Sequence, residues 1–194
     1  MRLFGRKTRD HVRDEVLRKM GRGGVCAEIG VFRGDFSERI LLIARPRTLH
    51  LIDPWKFEPA ATYDESLYGR SHASGQAAMD AVFDSVRDRF DHEIRVGTVM
   101  LHRSSSAAAA AQFADGYFDW VYIDGNHLYE FVLRDLESYY PKVKPRGFIA
   151  GDDYGVEGWW HDGVTRAVDE FAARGGCDKT LVRAGQFVLR KRPG

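Results

Sequence analysis

The residues of this chain best suited to chemistry are three carboxylates and a histidine in its second half. Asp124 and His127 belong to an Asp-Gly-Asn-His stretch after one apolar run, and Asp152 and Asp153 follow the next apolar run. Carboxylate oxygens are preferred ligands of Mg²⁺, Ca²⁺ and Mn²⁺. The three aspartates, called the aspartate set below, therefore predict a divalent metal site. The alternative is that an aspartate caps the next segment and that His127 simply begins a helix.

A second group of candidates lies in the first half of the chain. Gly30 and Gly34 allow a tight turn and a close backbone approach to a ligand. The dinucleotide-binding fingerprint has a glycine where this chain has Glu28, and a carboxylate suits an ammonium better than a pyrophosphate. Asp53 lies 23 residues beyond Gly30, where an acid can bind ribose hydroxyls, although an Asp-Pro turn is the alternative. The group favours a nucleoside ligand with a cationic or amino tail.

Alternating strands and helices must position these residues. Apolar runs predict strands at 25–31, 48–52, within 93–101, 118–123 and 147–150, and an antiparallel pair over 179–191. Helical spacing predicts helices at 8–20, 35–44, 77–90, 128–140 and 163–174. This order predicts an α/β fold, a Rossmann-like, doubly wound, mostly parallel sheet with an antiparallel closing strand and helices on both faces. Ligands of such sheets bind beyond the carboxyl ends of the strands.

Length and charge bound the function classes. A chain of 194 residues is expected to form one domain, 1–194. The formal net charge of +1 argues against a general nucleic-acid binder. Residues 1–22 carry eight basic and three acidic side chains and are expected to form a basic surface helix, whereas residues 115–170 carry five basic and twelve acidic ones. The acidic block is explained by a bound cation or by solvated surface charge.

Location and partners are less constrained. Two cysteines do not make a disulfide framework, and Cys26 is expected to be a buried small residue. No stretch approaches the roughly 18 apolar residues of a membrane span, and the start lacks the apolar core of a secretory signal. A cytoplasmic protein without a membrane span is the expectation, and a homo-oligomer is left open.

Three stretches together resemble a known family: AEIGVFRGDFS, LIDPW, and the segment from SSSAAAAAQFADGYFDWVYIDGNH to GFIAGDDY. Over about residues 24–172 the chain resembles the class I S-adenosylmethionine-dependent methyltransferases. Within them it is most similar to the small-molecule O-methyltransferases that include the macrocin and mycinamicin sugar methyltransferases. Its metal-site pattern is similar to that of the catechol and caffeoyl-CoA O-methyltransferases.

The resemblance implies how S-adenosylmethionine is bound. Glu28, Gly30 and Gly34 would line its methionine half. Ser37 would bind its carboxylate, unless Ser37 is only the N-cap of the following helix. Asp53 would take the ribose hydroxyls.

The resemblance also implies the rest of the site. Ser105 or Ser106 would lie near the adenine, unless they only cap the alanine-rich helix. Asp124 would serve cofactor binding and catalysis, the aspartate set would hold Mg²⁺ or another divalent cation, and His127 would be the general base.

Substrate contacts are expected from two aromatic segments. The long segment 54–76 is a candidate lid, since long loops in compact domains are often functional. The candidate contacts are Trp55, Tyr63, Tyr68, His72, Trp159, Trp160 and His161. Aromatic faces favour sugar rings or planar acceptors, and core packing is the alternative for each.

The sequence thus predicts O-methylation of a small-molecule hydroxyl, on a sugar or another polyhydroxylated compound, assisted by a divalent metal. A bound cation would lower the pKa of the hydroxyl, and His127 would take its proton. Three alternatives stay open: a non-catalytic S-adenosylmethionine-binding protein, a nucleotide-dependent oxidoreductase, and a protein or RNA methyltransferase.

Overall fold

Seven strands form one mixed sheet in the part of the chain that the computed structural model describes, residues 8–69 and 75–193. The strands are β1 Val25–Ile29, β2 Thr48–Asp53, β3 Val99–Arg103, β4 Phe118–Ile123, β5 Val143–Tyr154, β6 Cys177–Arg183 and β7 Gly185–Lys191. Their order is β3-β2-β1-β4-β5-β7-β6. Strands β1 to β5 pair in parallel, and β7 pairs antiparallel with both β5 and β6. The predicted mostly parallel sheet with an antiparallel closing pair is confirmed.

Helices cover both faces of the sheet. They are α1 Arg9–Met20, α2 Asp35–Ala44, α3 Gly75–Arg89, α4 Asp91–Arg95, α5 Ser106–Ala110, α6 Tyr129–Tyr139 and α7 Gly163–Ala173, with a 3₁₀ turn at Ala61–Tyr63. Side chains of β4 alternate between two hydrophobic cores, because Val121 packs in the core with α6 and α7 and Trp120 packs in the core with α1 and α2. This double covering confirms the doubly wound arrangement, and Cys26 is buried as expected.

Several elements differ from the sequence prediction, among them β3, which ends at Arg103, beyond the predicted range 93–101. Strand β5 is longer than the predicted run, because it pairs with β4 on one side and β7 on the other and includes Asp152 and Asp153. The short helix α4 was not predicted, since five residues with Ile94 as their one apolar side chain are too few to show a helical periodicity. Of the predicted N-terminal helix and lid, residues 1–7 and 70–74 lie outside the described residues.

The strand order reverses between β1 and β4, where a doubly wound sheet forms its ligand crevice. Gly30 follows β1 with φ +86°, and a Cβ atom there would lie 2.1 Å from the carbonyl oxygen of Asp124. Only glycine fits this approach of two strand ends. No helix within residues 8–69 and 75–193 is long and apolar enough to cross a membrane.

Candidate active site at the strand ends

The carboxyl ends of four neighbouring parallel strands bring the predicted acids to one edge of the sheet. Glu28 is the last residue but one of β1, Asp53 ends β2, Asp124 follows β4, and Asp152 and Asp153 precede the last residue of β5. Glu28, Asp53, Asp152 and Asp153 are all buried, and Asp124 is partly buried. The site therefore gathers five carboxyl groups where few water molecules can reach them.

Glu28 and Ser37 form a buried pair beneath the turn from β1 to α2. The Ser37 hydroxyl donates to Glu28 Oε2 at 2.5 Å. Ser37 is not the N-cap that sequence reasoning offered as an alternative, because Gly34 holds that position with φ +79°. Gly34 is also needed for packing, since a Cβ atom there would lie 2.7 Å from the Phe90 ring. Ser37 therefore orients Glu28.

Burial sets the charge of Glu28. Its side chain is 1% exposed. Desolvation raises the pKa of Glu28 to about 8, and the hydrogen bond from Ser37 offsets only part of this effect. At neutral pH the unliganded side chain is mostly uncharged. A cationic ligand beside it would favour the carboxylate, so its chemistry fits an ammonium group.

Asp53 holds the start of the following loop. Its Oδ2 accepts hydrogen bonds from the N–H groups of Val31 at 2.9 Å and Phe32 at 3.0 Å, and Oδ1 accepts from the N–H of Trp55 at 2.7 Å. The Tyr68 hydroxyl also donates to Oδ2. Burial raises the pKa of Asp53 and outweighs these hydrogen bonds, which lower it. The Tyr68 hydroxyl thus donates to Asp53 at the place where the ribose hydroxyls are predicted to donate.

Trp55 is a core residue, which corrects its prediction as a substrate contact. Its side chain is 0% exposed, its Nε1–H donates to the carbonyl oxygen of Phe32 at 2.8 Å, and its ring lies 5.0 Å from that of Phe83. A side chain closed off in this way anchors the loop to the fold. His72 lies outside the described residues.

Three other aromatic candidates meet beside His127. The Tyr63 ring lies 5.4 Å from the Trp159 ring, and its hydroxyl accepts from Asn126 Nδ2 at 2.8 Å. The Trp160 ring lies 4.5 Å from the His127 ring at 30°. Trp160 Nε1 is buried and has no hydrogen-bond partner among the described residues. His161 is instead exposed, in a turn with φ +54°.

His127 is held between two members of the aspartate set. Its Nε2 lies 2.9 Å from Asp153 Oδ2 and 3.4 Å from Asp124 Oδ1. Burial by itself lowers the pKa of His127, but the hydrogen bonds and charges of the two aspartates outweigh it and raise the pKa to about 9. The same contacts help to lower the pKa of Asp153, against the effect of its burial. At neutral pH the resting pair is an imidazolium and a carboxylate.

Two arginines that sequence reasoning assigned to a solvated helix face complete the site. Arg13 Nη2 donates to Asp124 Oδ2 at 2.9 Å and also to Asp152 Oδ2. Arg9 Nη2 donates to Asp153 Oδ1 at 2.7 Å, and its Nε lies 3.0 Å from both oxygens of Asp152. The available signal was the basic N-terminal segment opposite an acidic block, but spacing along the chain does not show which charges meet.

The contacts of the aspartate set do not fit the predicted metal site. Asp152 also accepts from the Gln186 side chain and from the N–H of Asp153, so donors of the chain surround both its oxygens. Among the described residues, Asp124, His127 and Asp153 offer ligand atoms within 4.8 Å of one another and could hold a metal ion, but this group does not include Asp152. A divalent cation would compete with the α1 guanidinium groups for these carboxylates.

The two serines predicted near the adenine have local partners. Ser105 Oγ accepts from the N–H of Ala108 at 3.3 Å and so caps α5, which is the alternative considered for it. The Ser106 hydroxyl donates to Asp135, whose pKa burial raises to about 6. Their contact with adenine stays a prediction.

Comparisons with known proteins agree with this geometry. Residues 27–154 match the family model described as Methyltransferase domain. The O-methyltransferase NovP is 20% identical, with a TM-score of 0.60 over 95% of this chain and 77% of that chain. A methyltransferase structure from Geobacter sulfurreducens is 12% identical, with a TM-score of 0.60 over 96% of this chain and 80% of that chain.

A structure from Streptococcus mutans, SMU.1697c, assigned as a methyltransferase and solved in complex with SAH, is 9% identical, with a TM-score of 0.60 over 95% of this chain and 98% of that chain. No curated protein matches the chain significantly. At these identities the solved structures establish the fold alone.

Proposed function

This chain belongs to the family of methyltransferase domains, and from that premise we propose that it methylates a hydroxyl group of a small molecule, using S-adenosylmethionine. The observation that carries the proposal is the placement of two buried acids, Glu28 and Asp53, near the carboxyl ends of the adjacent strands β1 and β2, while His127 follows β4 on the other side of β1. The two acids suit the ammonium group and the ribose hydroxyls of an amino acid joined to a nucleoside, and His127 suits proton transfer.

The residues present fit the cofactor. Glu28 would take the ammonium group, because a buried carboxyl with only a hydroxyl donor gains from a cation. Asp53 would bind the ribose hydroxyls once the Tyr68 hydroxyl moves away. Gly30 would keep the backbone between them free of a side chain. When bound, S-adenosylmethionine supplies a sulfonium methyl group open to in-line displacement.

His127 would accept the proton of the acceptor hydroxyl. Its Nε2 is engaged by Asp153 at 2.9 Å, which leaves Nδ1 as the nitrogen available to the acceptor. Asp153 and Asp124 hold the ring in place and stabilise the imidazolium that forms. Because the pKa of His127 is about 9 in the unliganded protein, the ring must first lose a proton to act as a base.

The aromatic residues beside His127 support a sugar or another polyhydroxylated acceptor. Tyr63, Trp159 and Trp160 form one wall, and flat apolar faces bind the C–H faces of sugar rings. The unpartnered Nε1–H of Trp160 can donate to an acceptor oxygen. The macrocin and mycinamicin branch is the finer assignment within this proposal, and a cytoplasmic location is part of it.

The proposed mechanism has no step that uses the predicted Mg²⁺, because the contacts of the aspartate set do not fit a metal ion. Positioning then supplies much of the rate enhancement, since holding an acceptor in line with a methyl group can contribute roughly 7–11 kcal/mol.

The test is calorimetry with S-adenosylhomocysteine, in EDTA and in Mg²⁺, followed by an acceptor screen that measures S-adenosylhomocysteine formation. We expect one S-adenosylhomocysteine binding site per chain, whose affinity Asp53→Asn lowers by at least about tenfold. We also expect turnover with a hydroxylated acceptor, which falls in His127→Ala while the affinity for S-adenosylhomocysteine is unchanged. Binding without turnover on any acceptor would favour the non-catalytic alternative. Binding of a nicotinamide nucleotide in place of S-adenosylhomocysteine would favour an oxidoreductase.

A further inference from the structure

We infer that Arg9 and Arg13, called the α1 arginines below, take the place of a divalent cation in the aspartate set. In this inference the site is assembled without a metal ion, and the α1 arginines are positioning residues for the proposed methyl transfer. The positioning role rests on the proposed function. The contacts of the α1 arginines with the aspartate set can be tested without cofactor or acceptor.

The first support is the geometry of Arg13. A single nitrogen, Nη2, donates to Asp124 Oδ2 at 2.9 Å and to Asp152 Oδ2. It therefore bridges residues of two neighbouring strands, as a bound cation would. The guanidinium carbon lies 5.0 Å from the centre of the Phe36 ring, so the cation is also held over an aromatic face.

The second support is the pairing of Arg9 with the two aspartates of β5, Asp152 and Asp153. Its Nη2 lies 2.7 Å from Asp153 Oδ1 and 2.8 Å from Asp152 Oδ2. Arg9 and Arg13 are four residues apart and so lie on one face of α1. Two positive charges of one helix thus reach all three carboxylates, and a planar guanidinium is well suited to binding several carboxylate oxygens at once.

The third support is the state of Asp152. Its side chain is fully buried in its ion pairs with Arg9 and Arg13, at 0% exposure. The remaining donors to its Oδ1 are Gln186, itself 0% exposed, and the N–H of Asp153 at 2.9 Å. Gln186 is fixed in turn, because its Oε1 accepts from the Tyr122 hydroxyl at 2.6 Å. The carboxylate of Asp152 is therefore surrounded by hydrogen-bond donors of the chain.

The fourth support is that α1 is packed into the core. Val12, Val16 and Leu17 are each 0% exposed. On the neighbouring face, Glu15 pairs with Arg183 of β6, and Lys19 donates to the carbonyl oxygen of Thr180 at 3.3 Å. Withdrawing the α1 arginines would expose this apolar face, so they are resident cations.

These contacts give the α1 arginines a definite role. They hold Asp124 and Asp153 at fixed positions, and these two aspartates in turn hold the His127 ring. Without the arginines, three carboxylates in close proximity would repel one another and would recruit another cation.

The experiment measures binding of Mn²⁺ alone to the full chain by calorimetry and by water-proton relaxation. It compares the wild type with Arg9→Ala/Arg13→Ala, and with the control Arg18→Ala/Arg22→Ala, which removes the same charge from the exposed side of the same segment. We expect Mn²⁺ affinity to rise at least about tenfold in the first double variant only. Adding Asp153→Asn to that variant should abolish the gain.

Two outcomes would overturn the inference: a folded Arg9→Ala/Arg13→Ala variant that binds Mn²⁺ no more tightly than the wild type, or an equal gain in the control. A merely structural role of the arginines would lower stability without raising Mn²⁺ affinity. A second measurement does not depend on folding of any variant. The thermal midpoint of the wild type should be the same in Mn²⁺ as in EDTA, and a rise of several degrees in Mn²⁺ would contradict the inference.

Discussion

The hydroxyl of Tyr68 donates a hydrogen bond to the buried carboxylate of Asp53. The same carboxylate accepts from backbone N–H groups of Val31, Phe32 and Trp55, so one side chain joins the loop after β2 to the turn after β1. The Tyr68 ring also lies 5.6 Å from the Phe32 ring. Tyr68 thus closes the position where the proposed function places the ribose.

Tyr68→Phe should raise the affinity for S-adenosylhomocysteine between about threefold and tenfold, because a nucleoside hydroxyl then no longer competes with the tyrosine hydroxyl for Asp53. Calorimetry measures this directly. Tyr117→Phe is the matched control, since its hydroxyl contacts His50 at 3.1 Å, away from Asp53. A loss of affinity in Tyr68→Phe would mean that the tyrosine hydroxyl contacts the nucleoside itself.

Binding of S-adenosylhomocysteine at pH 7 should release up to one proton from Glu28. The pKa of this buried acid is about 8 in the unliganded protein, so it is mostly protonated, and a bound ammonium would lower that pKa and expel the proton. The binding enthalpy should therefore differ between buffers of different ionisation enthalpy. Glu28→Gln, which keeps the shape of the side chain, should remove that difference; its persistence in the variant would assign the proton to another group.

The ion pair of His127 with Asp153 should make stability depend on pH between about 6.5 and 9. The folded-state pKa of about 9 lies above the unfolded value of about 6.5, so the contribution is complete below pH 6.5 and is lost as pH rises through 9. Its full size is on the order of 3 kcal/mol. Denaturant titrations of the wild type and His127→Gln, with exposed His161→Gln as control, should show a shallower slope in His127→Gln alone, because the part of the slope below pH 8 that is due to Glu28 remains.

Gly30→Ala should destabilise the fold by roughly 2–5 kcal/mol, because the new Cβ atom would overlap the Asp124 carbonyl oxygen at a backbone angle that favours glycine. Gly175→Ala is the matched control, with φ +89° and no heavy atom within 4 Å of the added Cβ, and should cost about 1–2 kcal/mol. Urea unfolding compares the two. Equal losses would show that the backbone angle alone, and not the approach of the two strand ends, makes Gly30 necessary.

Local pattern predicted most of the secondary structure and the edge of the sheet that carries the site. Buried strands read as apolar runs because both faces of β1 and β4 are covered, and a parallel sheet collects the residues after its strands at one edge. Glu28, Asp53, Asp124 and Asp153 could therefore be named from the residues in order.

This set of strand-end residues and the doubly wound sheet that gathers them could be predicted, since both follow from periodicity over a few residues. Which groups neutralise the acids could not be predicted and depends on how the helices pack on the sheet. Arg13 and Asp124 are separated by 111 positions and meet because α1 packs its apolar face on the sheet beside them. Likewise, the path of the loop after β2 places Trp55 in the core and the Tyr68 hydroxyl within hydrogen-bond distance of Asp53. Charge pairing over such separations depends on how elements pack, and no local spacing encodes it.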